Sequence, residues 1–323
     1  MIAGGGMGRV KPTAIGPADE GVVNGVVDIL VDSEAEAAEA ARRYLAFFQA
    51  RRLPSAGAAD QDRLRTLVPA NRRRTYEMRD VITTLADSHS FLELRRGFAP
   101  SIISGLCRVD GHRLGVLASS SEHLGGACDS DGALKAARFM ELCDAFDVPL
   151  LFLCDTPGFM VGVEHERSAA VRKLARLFTV GASLRVPRFT IVTRRAYGLG
   201  AMAMMGGLAV GAQNGFHVGW PTAEMGPMNL EGAVALGFSK ELAAAREEGG
   251  AEAEARLFRQ LLEASAERAQ ALSVARTLET DDVIDPAESR DWVVAMLDAA
   301  SAASATSHSF GRGERRRPCV SPW

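Results

Sequence analysis

The segments PLLFLCDTPGF, residues 149–159, and RFTIVTRRAYGLGA, residues 188–201, decide the fold of this chain. Each contains an apolar run of Leu, Phe, Ile or Val that changes abruptly to polar residues and glycine. This pattern is typical of a buried parallel strand whose carboxyl end opens into a loop. The two segments therefore predict two parallel strands, each followed by a loop.

The glycine turn in the second segment suits the binding of a negatively charged oxygen. Gly198 and Gly200 precede a run of good helix formers, so we expect a helix to begin here. Glycines at such a turn let backbone N–H groups approach a ligand closely, and the first N–H groups of a helix lack partners within it. The turn could form an oxyanion hole or a phosphate cradle; alternatively, the glycines serve only a tight turn and close helix packing.

A dinucleotide site is a weaker interpretation of the same turn. GLGAMA, residues 198–203, fits a loose dinucleotide-binding fingerprint with alanine in place of the third glycine, and Glu224 lies near the distance expected for a ribose-binding carboxylate. However, Gly206, Gly207 and the stretch GAQNG at 211–215 disfavour one long crossover helix. The sequence gives little support to a nicotinamide cofactor.

Composition and charge narrow the class of protein. The length of 323 residues predicts one large or two moderate domains, and 47% hydrophobic with 24% charged residues is typical of a soluble globular chain. The formal net charge of -3 argues against a nucleic-acid partner. No apolar run is long enough to cross a bilayer and no secretory signal is evident, which predicts a cytoplasmic protein without a membrane partner.

The cysteines and histidines do not predict a metal site. Five cysteines, Cys107, Cys128, Cys143, Cys154 and Cys319, are odd in number, widely spaced and never arranged as Cys-x-x-Cys. They are interpreted as apolar fillers in a reducing compartment. The six histidines show no metal-ligand spacing.

The centre of the chain predicts an α/β fold. Two apolar runs, 102–109 and 113–118, are joined by Asp110-Gly111-His112, a strong hairpin signal because Asp-Gly accepts positive φ. Strands and helices then alternate, which favours parallel strands with right-handed crossovers. The predicted elements are helices at 131–146 and from 164 or 168 to about 184, and strands at 150–154 and 189–193. Asp155, at a strand end, suits a catalytic acid or a structural residue that caps the turn; the structural role is favoured.

The flanking regions give further expectations. Arg312–Arg317 predicts a solvated basic tail. The remaining predictions are a short strand at 24–31, a helix at 33–48, a linker at 51–62, a helix at 76–85, a strand at 91–94, a helix beginning at 229–234, two helices between 239 and 278 separated at Gly249-Gly250, a brief strand and turn at 283–286 and a final helix at 289–300.

Several motifs together resemble the carboxyltransferase (beta) subunits of biotin-dependent acyl-CoA carboxylases of the propionyl- and acetyl-CoA carboxylase type. In chain order they are GGA at 125–127, KAARF at 135–139, CDAF at 143–146, DTPGF at 155–159, RAYGLGA at 195–201, WPTAE at 220–224, and RRP at 316–318 with the terminal Trp323. Their order and spacing are specific and cover most of the chain. The resemblance implies a crotonase-like α/β fold of the ClpP/crotonase type.

Such subunits have two crotonase-like halves, of which the first binds acyl-CoA and the second binds carboxybiotin. The active site forms between opposed halves of two protomers. By resemblance, residues 1–53 are the remnant end of the acyl-CoA-binding half, 54–310 the biotin-side carboxyltransferase domain, and 311–323 the basic tail. The body of the first half is expected to be missing from this sequence.

The resemblance also implies the site residues. The donors of the oxyanion hole fall on the backbone N–H groups of Leu199 and Gly200; they stabilise the ureido oxygen of biotin, and the cofactor itself acts as the base. Proline or a bulky residue at position 200 is therefore expected to abolish transfer with the fold largely intact. The residues implied to line the same mouth and bind substrate are Gly125, Gly126, Pro157, Gly158, Phe159, Tyr197, Gly198 and Ala201.

The function implied by the resemblance is transfer of CO2 from carboxybiotin on a carrier protein to a short-chain acyl-CoA. The implied partners are a biotin carboxylase or biotin carrier subunit and further copies of this chain in a dimer-based oligomer. Two alternatives stay open. The chain could belong to a biotin-linked acyl-CoA decarboxylase that uses the same site in reverse, or it could be a non-catalytic, truncated or assembly subunit.

Overall fold

Eight strands and twelve α-helices make up the regular structure in the part of the chain that the computed structural model describes, residues 5–6, 8, 10–49, 52–72, 74–206 and 215–308. The strands are β1 (Leu92–Leu94), β2 (Ile102–Val109), β3 (His112–Ser119), β4 (Leu150–Thr156), β5 (Arg188–Tyr197), β6 (Gly215–Gly219), β7 (Glu224–Gly226) and β8 (Asp282–Val283). The helices are α1 (Ala18–Val23), α2 (Glu34–Gln49), α3 (Leu64–Leu67), α4 (Met78–Leu85), α5 (Ser130–Ala145), α6 (Val163–Arg167), α7 (Ala170–Ser183), α8 (Gly198–Met204), α9 (Leu230–Gly237), α10 (Ser239–Ala269), α11 (Ala271–Ala275) and α12 (Ser289–His308).

One mixed sheet contains all of these strands. Its order is β1-β2-β3-β4-β5-β6-β8, and β7 pairs with the carboxyl end of β5. The pairs β1–β2 and β2–β3 are antiparallel, whereas β3, β4, β5 and β6 run parallel to one another. The predicted α/β fold with central parallel strands is therefore confirmed.

The sheet is buried on both faces. Along β4, Phe152 packs in a cluster under α5, α7 and α8, whereas Leu151 and Leu153 pack in a second cluster with α4 and α12. Alternate residues of a strand point to opposite faces. The continuous apolar run in the sequence thus reflects helices on both sides of the sheet.

The predicted hairpin is confirmed, and its turn also holds the preceding linker. Asp110 and Gly111 both have positive φ, 49° and 75°, as a tight two-residue turn requires. The N–H of Leu53 donates to the carbonyl oxygen of Gly111 at 3.0 Å. A Cβ atom at position 111 would lie 1.7 Å from the Leu53 carbonyl oxygen, so only glycine fits this turn.

Helix α2 packs on the same core. Phe47 is buried in the cluster beneath α5, and Ser33 accepts a hydrogen bond from the N–H of Glu36 at the helix start. Arg113 donates to the Phe47 carbonyl oxygen at 3.2 Å, and Arg108 donates to that of Ala46 at 2.9 Å. The helix predicted at 33–48 is confirmed, while the domain boundary at residue 53 stays a prediction.

One predicted element is wrong. Residues 24–31 form no strand; instead, the Asp28 carbonyl oxygen accepts a single hydrogen bond from the N–H of Arg95, at 2.7 Å. The apolar residues that suggested a strand are used differently, because Ile29 packs against the core as a half-buried side chain. The segment forms isolated backbone hydrogen bonds, such as that from the N–H of Val27 to the Gly21 carbonyl oxygen at 2.9 Å, rather than a ladder of paired residues.

The other flanking predictions have mixed outcomes. The break at Gly249-Gly250 is confirmed, since Gly250 has a non-helical backbone (φ 71°, ψ -167°) inside the segment assigned as α10. Strand β5 extends four residues beyond the predicted end at Thr193.

The basic tail 311–323, Cys319 and the motif at 316–318 lie outside the described residues, as does the segment 207–214. No helix in the described ranges carries an apolar stretch long enough to span a bilayer.

Candidate active site

Three loops meet at one edge of the sheet. Strands β3, β4 and β5 are parallel neighbours, so their carboxyl ends lie at the same edge. The loops that follow these strands carry the glycine motifs at 125–126, 157–159 and 198–200. In open α/β sheets this edge is the usual location of ligand sites.

The first two loops are hydrogen-bonded to each other. The N–H of Cys128 donates to the Gly158 carbonyl oxygen at 3.1 Å, and the N–H of Met160 donates to the Cys128 carbonyl oxygen at 2.9 Å. Thr156 holds the second loop from within, because its hydroxyl donates to the carbonyl oxygen of Gly158 at 3.1 Å. The structure therefore brings the 125–128 segment beside Gly158 and Phe159, as the sequence motifs predicted.

The third loop touches the second through two glycines. A Cβ atom at position 200 would lie 2.4 Å from the carbonyl carbon of Gly158 and 2.7 Å from the backbone nitrogen of Phe159. Real Cβ atoms do not approach backbone atoms so closely. The expectation that a bulky residue at 200 leaves the fold intact is therefore wrong: such a side chain would displace the 157–159 loop.

Helix α8 begins within this cluster and its first turn is uncapped. Gly198 has φ 61°, which turns the chain from β5 into the helix, and no side chain caps the helix start at Tyr197. The first N–H groups of a helix have no intrahelical acceptor. Leu199 is 61% exposed, whereas Gly200 is buried. The backbone N–H groups of Leu199 and Gly200 thus belong to an uncapped first turn beside the two other loops.

A buried cluster of charged side chains stabilises the loops. Asp155 is fully buried; one carboxylate oxygen accepts from Arg194 Nη2 at 2.8 Å and the other from Arg195 Nε at 2.7 Å. Arg195 Nη2 also donates to the Gly125 carbonyl oxygen at 2.8 Å. The structural role of Asp155 is confirmed, although it acts through two ion pairs rather than as a turn cap. Sequence reasoning missed both arginines; their position at the end of an apolar strand was the available signal.

The two glycines of the first loop have different surroundings. Both have positive φ, 60° at Gly125 and 89° at Gly126. A Cβ at Gly126 would lie 2.3 Å from the carbonyl oxygen of Asp155, whereas nothing lies within 4 Å of a Cβ at Gly125. Gly126 is therefore a packing contact with β4. Gly125 borders open space at the mouth of the site, where the three glycine loops meet.

Three predicted substrate-binding side chains are engaged in packing. Phe159 lies edge-on against Phe178 of α7, with ring centroids 6.1 Å apart, and Ala201 is buried in the core. Tyr197 is 3% exposed and its hydroxyl donates to Glu224 Oε2 at 2.8 Å. Their roles toward substrate, and those of Pro157 and Gly158, stay predictions.

The Glu224 carboxylate is bonded to two side chains of the same chain. Besides Tyr197, it pairs with Arg72, and both contacts use its Oε2 atom. Burial, followed by the neighbouring Glu224 carboxylate, raises the pKa of the Tyr197 hydroxyl, so this tyrosine stays protonated as a donor. A carboxylate held in this way is not available to a ribose, which removes the second support for a dinucleotide site.

The four cysteines within the described ranges are not candidate nucleophiles. Cys107, Cys128, Cys143 and Cys154 are free and buried. Burial raises the pKa of all four thiols, that of Cys107 to about 12. The thiolate is the reactive form of cysteine, so these residues are inert at neutral pH.

Comparison with known proteins identifies the family. Residues 13–314 match the family described as "Carboxyl transferase domain". The chain belongs to the carboxyl transferase domain family. Both the resemblance drawn from the motifs and the crotonase-like fold predicted from it are confirmed.

Curated members of the carboxyl transferase family share substantial sequence with the chain. It is 41% identical over 194 residues to the propionyl-CoA carboxylase beta chain of Saccharopolyspora erythraea, covering 60% of this chain and 35% of that protein. It is 38% identical over 235 residues to the biotin-dependent acetyl-/propionyl-coenzyme A carboxylase beta6 subunit of Mycobacterium bovis, covering 72% and 49%. The chain thus spans at most about half the length of these relatives.

Solved structures show the same fold. A single-chain, multi-domain long-chain acyl-CoA carboxylase superposes with a TM-score of 0.83 at 44% identity, covering 92% of this chain and 28% of that one. The transcarboxylase 12S hexamer with methylmalonyl-coenzyme A bound gives a TM-score of 0.83 at 27% identity, covering 98% and 59%.

Proposed function

We propose that this chain is the biotin-side part of an acyl-CoA carboxyltransferase, which moves CO2 from carboxybiotin on a carrier protein to a short-chain acyl-CoA. The uncapped first turn of α8, at the edge where three glycine loops meet, carries the proposal. Membership of the carboxyl transferase family and the names of the relatives support it.

The residues at this edge fit a ligand that carries its own reactive groups. Carboxybiotin, when bound, supplies both the CO2 and the basic nitrogen for the acyl-CoA. The chain need only bind, orient and stabilise negative charge, which the N–H groups of Leu199 and Gly200 can do as fixed main-chain donors. Asp155, at the end of β4, is buried and paired with two arginines, so it does not serve as a general base. Gly125 leaves open space beside the loops, and the side chain of Leu199 is exposed.

The composite site requires partners. The relatives are named as beta chains and subunits of biotin-dependent carboxylases, and one structural neighbour is a hexameric core. We infer a biotin carboxylase or biotin carrier subunit as one partner and a dimer-based oligomer of the chain. The four free cysteines agree with a cytoplasmic location.

Because the chain spans at most about half of its curated relatives, we infer that an acyl-CoA-binding half completes the site. The same edge would serve decarboxylation of an acyl-CoA in the reverse direction. A non-catalytic assembly subunit is the competing function.

Reverse transfer tests the proposal. The 323-residue chain is incubated with malonyl-CoA or methylmalonyl-CoA and free biotin, alone and with the acyl-CoA-binding half of a relative, and loss of the carboxylated thioester is measured. We expect biotin-dependent loss at least in the mixture. Leu199→Pro removes one N–H at a first-turn position that accepts proline and should abolish transfer, whereas Leu199→Ala keeps the N–H and should retain it. Equal activity of the two folded variants would reject the oxyanion hole, and no transfer in any mixture would favour the assembly subunit.

A further inference from the structure

A second cavity lies away from the glycine loops. It has a volume of about 440 Å³, within the range of small-molecule pockets, and lies between α2, α5 and the strands β1 and β2. Its apolar lining includes Ile29, Leu94, Phe139 and Leu142. It shares no lining residue with the mouth described above. A ligand here would contact both the N-terminal helix α2 and the central sheet.

The cavity contains a buried guanidinium with unused donors. Arg95 lines it and is 8% exposed; its Nε donates to Asp28 Oδ1 at 2.8 Å. Its two terminal amino groups donate to no residue in the described part of the chain. These amino groups are not fully enclosed by protein atoms, so they stay accessible to a ligand in the cavity. The planar fork of arginine matches a carboxylate in a bidentate geometry.

A second unused donor lines the same cavity. Tyr44 is half-buried, and its hydroxyl has no hydrogen-bond partner among the residues that the structure describes. Lys135, by contrast, is fully engaged: its ammonium donates to the carbonyl oxygens of Ile102, Phe98 and Ala99 at 2.6, 2.8 and 3.5 Å. The free donors are therefore Arg95 and Tyr44, while the half-buried Arg138 adds positive charge to the walls.

These groups define the charge of the ligand. Arg95 offers one free fork, and the Asp28 carboxylate beside it opposes a second negative charge on the ligand. The remaining lining is mainly aliphatic and aromatic, so it suits a hydrocarbon body rather than a sugar or a peptide backbone. We propose that this cavity binds a monocarboxylate with an apolar chain, whose carboxylate pairs with Arg95 and accepts a hydrogen bond from Tyr44.

Titration calorimetry of the 323-residue chain with octanoate tests the proposal. We expect one octanoate per chain, and 1-octanol, which lacks the charge, should bind at least tenfold more weakly. Arg95→Met should weaken octanoate binding roughly 10- to 100-fold, and Tyr44→Phe roughly 2- to 10-fold. The matched control is Arg96→Met, because Arg96 is the adjacent arginine but its side chain is 73% exposed. It should bind octanoate as the wild type does.

A cavity-filling variant tests the proposal independently, should Arg95→Met fail to fold. Ala40→Phe places a ring in the cavity from α2 without changing Arg95, and it should abolish octanoate binding while the melting midpoint is maintained. Failure of the wild type to bind octanoate would overturn the proposal. So would unchanged affinity in Arg95→Met or in Ala40→Phe, or equal affinity for octanoate and 1-octanol.

Discussion

Arg195 ties Asp155 to Gly125: one guanidinium spans a buried carboxylate at 2.7 Å and a loop carbonyl oxygen at 2.8 Å. The side chain of Arg195 is 21% exposed, whereas that of Asp155 is fully buried. The ion pair therefore anchors the rim of the mouth to strand β4. This relationship assigns Arg195 a positioning role in the proposed transfer.

Arg195→Met should lower transfer by roughly 10- to 100-fold, because a displacement of about 1 Å at a site can cost this much. The effect should fall mainly on kcat, and Arg195→Lys should recover part of it. Reverse transfer with the completed site provides kcat and KM, and urea unfolding provides the stability of each variant. A loss of stability with unchanged kcat would contradict the positioning role.

Asp155→Asn should destabilise the chain by about 3–5 kcal/mol, because it leaves two guanidinium groups beside a neutral amide in a buried site. Glu164→Gln is the matched control: it breaks the exposed Glu164–Arg167 pair and should change the free energy of unfolding by about 0–1 kcal/mol. Urea unfolding of both variants makes the comparison. Similar losses in the two would show that burial does not strengthen the Asp155 cluster.

Gly126→Ala should destabilise the chain by about 2–5 kcal/mol, since positive φ and overlap with the Asp155 carbonyl oxygen both oppose a side chain. Gly125→Ala has the φ cost alone, about 1–2 kcal/mol. Chemical denaturation gives both values. If Gly125→Ala proved the more damaging change, the assignment of Gly126 as the packing glycine would be wrong.

Lys135 should make the stability of the chain depend on pH. Burial lowers the pKa of Lys135 to about 7 from its usual value of 10.5. Between these values the unfolded chain binds more protons than the folded chain, so the free energy of unfolding should rise with pH by up to about 1.4 kcal/mol per unit. Below pH 7 both states are protonated and this dependence vanishes.

Urea unfolding between pH 7 and pH 10 measures the slope in the wild type and in Lys135→Met. The variant should show a smaller slope over the whole window, whatever its absolute stability. Identical slopes in the two proteins would mean that the buried amine keeps its proton.

Sequence patterns were sufficient for those parts of the fold that follow from local chemistry. The strand-loop-helix alternation and the Asp110-Gly111 turn depend on residues close together in the chain, and both were predicted. The segment at 24–31 was misjudged because strand formation needs a paired neighbour, which local alternation does not report. The break at Gly250 was predicted because two adjacent glycines, 249 and 250, weaken a helix locally.

The candidate site likewise has features that the sequence predicted and contacts that it could not reveal. Main-chain donors at 199 and 200 are implied by the family resemblance and stay a prediction, and the structure places this turn beside the other loops. The contacts of Arg195 with Asp155 and Gly125 join residues that are far apart in the chain, so one sequence could not reveal them. The packing of Gly200 on Gly158 likewise depends on two loops meeting.

The attachment of α2 has a consequence for the order in which this protein is made. The carbonyl oxygens of Ala46 and Phe47 are held by Arg108 and Arg113, which lie on the two strands of the hairpin. Helix α2 leaves the ribosome before these arginines do, so its docking must wait until the hairpin has been synthesised. During translation, residues 34–49 therefore have only their own helical propensity to hold them until the hairpin follows.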